Sequence, residues 1–359
     1  MRIGIPKEIK TREGRVALIP PALADIVHAG HSVVVQAGAG TGAGYSDDEY
    51  RRVGASIVPD AAALYGQAEM VLKVKEPVEP EYKLLRSDHL LFSYLHLAAE
   101  KRLTQTLLDL GLTGIAFETV EVDGRLPLLA PMSDIAGRLA VQIGTTLLHG
   151  YNGGRGVLLG GTPSAERGNV VILGAGTAGG NAAALAAALG AQVTVFAPRR
   201  EELERMQALG PNVTALPSYR PLIERAVIDA DLVIGAVLVL GGLAPKLVSA
   251  ETVRKMKPGS VIIDISIDQG GCIETIRPTN YDAPTYVHDG VIHFAVANMP
   301  GAVPRTASQA LSTALAPFVL RLANLGAKGI DKDPVLARAV NVAGGRIVHP
   351  SVAEAFNAK

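Results

Sequence analysis

The sequence predicts an α/β fold with two domains, each built on a mostly parallel sheet. The hydrophobic period switches repeatedly between short β-rich runs and alanine-rich helical stretches, as expected for strands that alternate with helices. A second series of strands and helices begins near residue 169. The length of 359 residues is enough for two hydrophobic cores.

The first series contains apolar, β-branched runs that predict strands at residues 2–6, 32–36, 70–75 and 89–95. Residues 21–30 predict a helix that ends at Gly30, and residues 99–111 predict a second one. Because these strands and helices alternate along the chain, we expect the strands to lie parallel.

The second series predicts a helix at residues 179–189 and strands at residues 170–173, 192–196, 231–237, 260–266 and 292–296. Long helices are predicted at 306–325 and at 133–149, the latter with Ser133 as N-cap and Asp134 in its first turn. We expect the helix at 133–149 to contribute to subunit or domain contacts. Residues 151–169 are glycine-rich without helical spacing and predict a loop.

Composition and charge exclude several classes of function. Basic and acidic residues balance at 34 each, so no global field draws the chain to nucleic acid or to anionic lipid. The single cysteine, Cys272, excludes an intrachain disulfide framework, and we expect a small buried core residue there. The N-terminus lacks a signal-peptide pattern, and apolar runs such as 261–267 are far shorter than the ~20 residues of a membrane span. We expect a cytoplasmic protein with no membrane association and no metal site.

A glycine-rich turn between the strand at 170–173 and the following helix has the G-x-G-x-x-G pattern. Gly174 permits the tight turn, Gly176 lets a pyrophosphate approach the backbone, and Gly179 lets the helix pack closely on the strand. The free N–H groups of the helix N-terminus favour phosphate binding. The alternative is a sharp turn that binds nothing, but the complete strand–turn–helix–strand unit favours a dinucleotide.

Four polar residues stand where a core has no need of them: Arg15, Lys75, His96 and Asp268. Lys75, His96 and Asp268 follow apolar runs, and the carboxyl ends of strands are where α/β proteins bind ligands. Each also has an ordinary structural interpretation, as a surface charge, a solvated strand end, a core histidine or a turn cap. Together they supply two cations, a proton-transfer group and a carboxylate, which suits a small 2-oxo or 2-amino acid beside a nicotinamide.

These residues lie in motifs that resemble the alanine dehydrogenase family and, more distantly, the nucleotide-binding α-subunit of proton-translocating nicotinamide transhydrogenase. The motifs span nearly the whole chain and include IGIPKEIKTREGRVALIP at 3–20, LKVKEP at 72–77, FSYLHLAA at 92–99, GAGTAG at 174–179, IDISIDQGG at 263–271 and VANMPGAVPRT at 296–306. The resemblance implies a nucleotide domain, 129–306, inserted into a catalytic domain formed by 1–128 and 307–359. It also implies a homo-oligomer, hexameric or dimeric.

The resemblance further implies an NAD(P)-dependent enzyme that reversibly converts L-alanine to pyruvate and ammonia. Arg15 would bind the substrate carboxylate, Lys75 would contact the carbonyl oxygen, and His96 and Asp268 would be catalytic. Besides the three glycines, the implied cofactor positions are Ser133, Thr177, Ala178, Ser218, Val237, Leu238, Ile265, Ser266, Ile267, Asp268, Val296, Ala297, Asn298 and Met299.

The main departure from the family lies at Ala197, where an acid that would bind the adenosine ribose is expected. Its absence removes the repulsion of a 2′-phosphate, and Arg199 and Arg200 follow directly. The sequence therefore favours NADP(H) over NAD(H), while solvated arginines with NAD bound through its pyrophosphate are the alternative. Smaller departures are Asp134, where glutamate is usual, and the loop at 160–168.

Two other functions remain open from the sequence. A related NADPH-dependent enzyme could use a different 2-oxo acid or amine, because pocket size depends on packing that a sequence does not reveal. A nucleotide-binding module without turnover, like a detached transhydrogenase subunit, is the other alternative. The joint presence of Arg15, Lys75, His96 and Asp268 favours the enzyme.

Overall fold

A computed structural model describes residues 1–239 and 243–357. The chain divides into two compact units, a first unit of Met1–Met132 with Pro300–Lys359 and a second unit of Ser133–Met299. The boundaries predicted from the sequence, after residues 128 and 306, stay a prediction. None of the helices within the described ranges has the length and apolar character needed to cross a membrane.

The strands of the described residues, in chain order, are β1 (Arg2–Ile5), β2 (Ser32–Gln36), β3 (Ser56–Val58), β4 (Met70–Leu72), β5 (Leu90–Ser93), β6 (Thr113–Ala116), β7 (Asn169–Leu173), β8 (Gln192–Ala197), β9 (Val213–Pro217), β10 (Leu232–Gly235), β11 (Val261–Asp264), β12 (Thr285–His288), β13 (Val291–Phe294), β14 (Val340–Ala343) and β15 (Arg346–Ile347). The predicted strands are all present, with ends that shift by up to a few residues.

The α-helices, in the same order, are α1 (Pro20–His28), α2 (Asp47–Arg52), α3 (Ala61–Gln67), α4 (Glu79–Tyr82), α5 (Lys101–Leu110), α6 (Ala130–Leu147), α7 (Thr177–Ala188), α8 (Arg200–Gln207), α9 (Arg220–Ile228), α10 (Ala250–Arg254), α11 (Pro304–Leu325), α12 (Pro334–Arg338) and α13 (Pro350–Asn357). Short 3₁₀ turns, among them Phe117–Thr119 and Ile265–Gln269, follow some of the strands.

The sheet of the first unit has the order β15-β14-β6-β5-β4-β1-β2-β3. Strands β1 to β6 are parallel, while β14 runs antiparallel to β6 and β15 antiparallel to β14. The carboxyl ends of β6, β5, β4 and β1 therefore lie side by side at one edge of the sheet. Chain order reverses within this row, and such switch points are where open α/β sheets bind ligands.

The sheet of the second unit has the order β12-β13-β11-β10-β7-β8-β9. Every pair is parallel except β12 with β13. The chain leaves β7 for β8 on one side and later returns to β10 on the other, so the switch point lies at β7. The apolar runs at β7, β10 and β11 are almost wholly buried, as expected for strands covered on both faces. Both sheets confirm the predicted α/β class with mostly parallel strands.

The prediction that Ser133 caps the helix at 133–149 is wrong, because α6 already begins at Ala130. Pro131 is tolerated there, since the first turn of a helix has N–H groups without an intrahelical acceptor. Ser133 therefore lies inside the helix. The glycine-rich stretch after α6 is mostly loop, as predicted, apart from a 3₁₀ turn at Gly150–Asn152.

Close packing of α6 on α7 within the second unit depends on Gly137. A Cβ at Gly137 would lie 2.1 Å from the carbonyl oxygen of Ala178. We therefore expect Gly137→Ala to lower the free energy of unfolding by about 1–3 kcal/mol, the usual cost of overpacking. Urea denaturation measures this change. Gly66→Ala in α3 is the matched control, because no atom lies within 4 Å of its added Cβ.

For Gly66→Ala we expect a gain of about 0.5–1 kcal/mol from the better helix propensity of alanine. Equal effects of the two substitutions would contradict the close approach of the two helices.

Candidate active site

Arg15 lies in the loop after β1 and is ordered by an acid two residues before it. Its Nε donates to Glu13 Oε1 at 2.7 Å and its Nη2 to Glu13 Oε2 at 2.5 Å. The same carboxylate accepts the backbone N–H of Arg15 at 3.0 Å. The guanidinium is 2% exposed, and its Nη1 contacts the Met132 sulfur at 3.2 Å. Burial alone would lower the pKa of Arg15, but the hydrogen bonds and the charge of Glu13, with the charges of Tyr94 and Glu8, together raise it, so the group stays a buried cation.

Lys75 follows β4 and is held through its backbone by Glu8. Glu8 Oε1 accepts the N–H of Val74 at 2.7 Å and that of Lys75 at 3.4 Å. The other oxygen of Glu8 accepts from the buried ammonium of Lys73 at 3.2 Å. Lys73 also donates to Glu81 at 2.7 Å, so two buried acids share one ammonium. Burial raises the pKa of Glu8, against the opposing charge of Lys73.

His96 follows β5 and has a left-handed backbone with φ of 49°. Non-glycine residues seldom adopt this conformation. Glu118, in the 3₁₀ turn after β6, accepts the N–H of His96 at 2.7 Å and that of Leu95 at 3.3 Å. The Tyr94 ring stacks on the imidazole with an interplanar angle of 11°. The His96 side chain is 41% exposed, so it is not a core histidine.

The turn that carries Glu118 is anchored on both sides. Phe117 is fully buried and meets Phe92 and Tyr94 edge to face, at centroid distances of 4.5 and 4.9 Å. On the other side, Asn341 of β14 donates to Thr119 Oγ1 at 2.8 Å. Glu118 therefore accepts the N–H groups of Leu95 and His96 from a turn that is anchored on both sides.

The glycine turn of the second unit fits a dinucleotide. A Cβ at Gly174 would lie 2.5 Å from the Ala236 carbonyl oxygen, and one at Gly179 only 1.9 Å from the Gly174 carbonyl oxygen. The protein itself therefore requires these two glycines. Gly176 is different, because no protein atom lies within 4 Å of its added Cβ. It is the N-cap of α7 and makes no side-chain cap, so open space lies where a pyrophosphate would meet the helix N-terminus.

The other implied cofactor positions lie at the same edge of this sheet, after the carboxyl ends of its parallel strands. Ser218 follows β9, Val237 and Leu238 follow β10, Ile265 to Asp268 follow β11, and residues 296–299 follow β13. Ser133 lies in α6, beside Asp134, whose carboxylate accepts from Asn181 of α7 at 2.8 Å. The topology thus places the positions that follow strands along one edge of the second sheet, on both sides of the switch point.

Ala197 is the last residue of β8, and its side chain is fully buried. Arg199 forms an ion pair with Glu202, and Arg200 forms one with Glu204 at 2.7 Å. A third cation, Arg205 of α8, donates to the carbonyl oxygen of Ala175 inside the glycine turn. The two predicted arginines are therefore paired and exposed, and no motif in the sequence singles out Arg205.

Asp268 lies in the 3₁₀ turn after β11 and is exposed. It does not cap that turn, because the N-cap is Asp264, whose carboxylate accepts from the Ser266 N–H at 2.9 Å. Asp264 and Cys272 are both fully buried, so Cys272 is a core residue as predicted. Burial raises the pKa of the Cys272 thiol, which makes it a poor nucleophile.

Sequence reasoning missed the acids that hold the site residues: Glu8, Glu13, Glu118 and Asp264. Each accepts backbone N–H groups next to Lys75, Arg15 or His96, or within the loop of Asp268. Only Glu13, two residues before Arg15, could have been found from its spacing. Among the described residues, no group of three or more histidines, cysteines or acids is arranged to hold a metal ion.

The fold and the two groups of site residues define a two-domain α/β protein with a Rossmann-type dinucleotide-binding unit. Family models for the N-terminal and C-terminal domains of alanine dehydrogenase/PNT match residues 4–136 and 140–350. The chain belongs to this alanine dehydrogenase/PNT family.

Individual relatives agree with this membership. Alanine dehydrogenase of Mycolicibacterium smegmatis is 50% identical over 99% of this chain and 96% of its own length. A solved L-alanine dehydrogenase superposes with a TM-score of 0.95 at 52% identity, covering 99% of both chains. A transhydrogenase structure from Sinorhizobium meliloti has a TM-score of 0.84 at 27% identity, covering 98% of this chain and 100% of its own.

The hydrogen bonds of Glu118 to two backbone N–H groups predict a contribution to the stability of the fold. We expect Glu118→Ala to lower the free energy of unfolding by about 1–3 kcal/mol, because it leaves partly buried donors without an acceptor. Glu118→Gln keeps an acceptor oxygen and should lose less. Urea denaturation of both variants measures the difference. A Glu118→Ala protein as stable as the wild type would show that these bonds contribute nothing to folding.

Proposed function

We propose that this chain is an alanine dehydrogenase, an oxidoreductase that reversibly converts L-alanine to pyruvate and ammonia with a nicotinamide cofactor. One observation carries the proposal. At the carboxyl edge of the first sheet stand a buried arginine ordered by an acid, a half-buried lysine and a half-exposed histidine. These are the groups needed to bind a carboxylate, polarise a carbonyl and move a proton.

Arg15 binds the substrate carboxylate in this proposal. Glu13 occupies the Nε–Nη2 edge of the guanidinium and so orients its other edge. Nη1 faces the Met132 sulfur, a weak acceptor that a carboxylate outcompetes. Two parallel N–H···O bonds to the substrate then fix its orientation as well as its position.

Lys75 and His96 act at the carbonyl oxygen of pyruvate. The ammonium of Lys75 polarises the carbonyl, which favours attack by ammonia. His96 then donates a proton to the oxygen that leaves as water, and it takes a proton back when the reaction runs from alanine. The nicotinamide, when bound, accepts or supplies the hydride. Asp268 is the second catalytic acid/base group.

The test of this function is consumption of reduced nicotinamide by the purified chain with pyruvate and ammonium, followed by absorbance. A panel of larger 2-oxo acids and of alkylamines in place of ammonium tests the related enzyme with another substrate. Cofactor binding without any turnover would favour the transhydrogenase-like module instead.

We expect His96→Ala and Asp268→Ala each to lower kcat by at least ~10²-fold, the scale of an acid/base group. Steady-state kinetics measures the loss, and NADH or NADPH titration should show little change in cofactor affinity for His96→Ala. His28→Ala, at the exposed end of α1, is the control histidine and should keep wild-type rates. Near-full activity of His96→Ala would remove this histidine from the mechanism.

Arg15→Lys should mainly impair substrate use, because a point charge cannot replace a planar fork. We expect the KM for pyruvate to rise by roughly tenfold, the loss of about one charged hydrogen bond. Arg102→Lys, an exposed arginine paired with Glu79, is the matched control. Unchanged pyruvate kinetics in Arg15→Lys would exclude Arg15 from the substrate site.

The preferred cofactor in our proposal is NADP(H). Ala197 removes the acid that would repel a 2′-phosphate, and Arg199 lies two residues beyond it. Arg205, bonded to the glycine turn, adds a cation to the same end of the unit. The ion pair of Arg199 with Glu202 opposes the proposal in part, since a phosphate must compete with that carboxylate.

The ratio of kcat/KM for NADPH and NADH tests this preference. We expect the wild type to favour NADPH and Ala197→Asp to shift the ratio toward NADH by about tenfold or more, the value of one charged hydrogen bond. Arg199→Ala should weaken NADPH use alone. A wild type that prefers NADH, with NADPH use untouched in Arg199→Ala, would contradict the preference.

Assembly as a homo-oligomer and a cytoplasmic location stay predictions from the family resemblance and the sequence.

A further inference from the structure

The loop at residues 264–273 carries Asp268 and is closed from the inside by one buried carboxylate. Asp264 Oδ1 accepts the N–H of Ser266 at 2.9 Å, near the start of the loop. Its Oδ2 accepts the N–H of Cys272 at 2.8 Å and that of Ile273 at 3.3 Å, at the end of the loop. Both ends of the loop are therefore bound to the same side chain.

The same loop is bound from the outside by Lys246. Its ammonium donates to the carbonyl oxygens of Gly270 at 2.6 Å, Gly271 at 2.9 Å and Ile273 at 3.2 Å. An ammonium has three N–H groups, and here each can point to a carbonyl of one loop. Lys246 is itself exposed, so its ammonium closes the loop from the solvent side.

Two of these three carbonyl groups belong to glycines with a left-handed backbone conformation. Gly270 has φ of 84° and Gly271 has φ of 73°. A Cβ at Gly271 would lie 2.3 Å from the Ile276 side chain and 2.8 Å from Asp264 Oδ2. The glycines thus allow the chain to turn tightly between the inner carboxylate and the outer ammonium.

Gln269 joins the loop to the segment that carries Lys246. Its side chain accepts the N–H of Val239 at 3.0 Å and donates to the Val239 carbonyl at 2.7 Å. The backbone carbonyl oxygen of Gln269 accepts the N–H of Ala244 at 3.0 Å. Asp268 immediately precedes Gln269 in the chain. The residue next to Asp268 is therefore hydrogen-bonded to Val239 and Ala244.

We propose that Lys246 is a positioning residue for Asp268. The ammonium of Lys246 holds the loop at 264–273 in the conformation that presents the Asp268 carboxylate. This inference rests on the catalytic role of Asp268 in the proposed function. Lys246 acts in this proposal through its bonds to the loop carbonyls. Residues 265–267 share the loop, so cofactor binding depends on the same clamp.

Lys246→Met tests the inference, because it keeps an unbranched apolar stem and removes all three bonds. We expect faster amide hydrogen exchange in peptides that cover 264–273, kcat lower by about 10-fold or more, and NADH and NADPH affinity lower by about threefold. Lys255→Met is the matched control, since Lys255 pairs only with Glu251 one helical turn away, at 2.7 Å. It should leave exchange, kcat and cofactor affinity at wild-type values.

Lys246→Arg separates geometry from charge and guards against a Lys246→Met protein that folds poorly. A planar guanidinium cannot direct N–H groups to three converging carbonyls, so we expect intermediate losses. Wild-type behaviour of Lys246→Arg together with losses in Lys246→Met would assign the effect to charge alone and overturn the three-bond clamp. Unchanged loop exchange in Lys246→Met would also overturn it.

Asp268→Ala distinguishes this inference from the proposed function. If Asp268→Ala is inactive and Lys246→Met has a faster-exchanging loop with wild-type kcat, the positioning role is wrong and the function stands. If Asp268→Ala keeps wild-type turnover, the proposed function of that aspartate is wrong, and with it the positioning role of Lys246, whatever the loop exchange shows.

Discussion

The arrangement of the site depends on buried and partly buried carboxylates that accept backbone N–H groups beyond the carboxyl ends of strands. A residue that has left its strand loses the partners of its N–H, and a buried donor without an acceptor is costly. Glu8, Glu13, Glu118 and Asp264 supply those acceptors. One carboxylate takes two or more donors at once, so it holds a loop and not a single atom.

The charged groups therefore have two different roles, one in ordering the backbone and one in exchanging protons. Glu8 is bonded to amides and to Lys73, and Asp264 is bonded to amides on both oxygens, so both oxygens of each carboxylate are engaged by the protein itself. His96 and Asp268 have side chains that reach the surface of their units. The buried acids therefore order the backbone, and the exposed groups are the ones able to exchange protons with a substrate.

Much of the fold could be predicted because its signals are local. The period of β7 and the glycines after it are decided within a few residues, and both appear as predicted. The short strands β3, β6, β9, β12, β14 and β15 were missed, and the last two also pair antiparallel after a long helix. The anchoring acids were missed for another reason: Glu118 looks like a solvated loop charge until the fold brings the amide of His96, which follows the neighbouring strand β5, within 2.7 Å.

Position 197 lacks such an acid, because a fully buried alanine stands at the strand end where dinucleotide folds usually carry one. The arginine that follows has turned to a local acid, Glu202, which lies three residues on and is mostly buried. Arg199 itself is 74% exposed, so water competes for its guanidinium and weakens the ion pair. A phosphate dianion binds a guanidinium through two parallel bonds and carries more charge than one carboxylate. The existing ion pair therefore keeps Arg199 oriented near the end of β8 without excluding it from a phosphate.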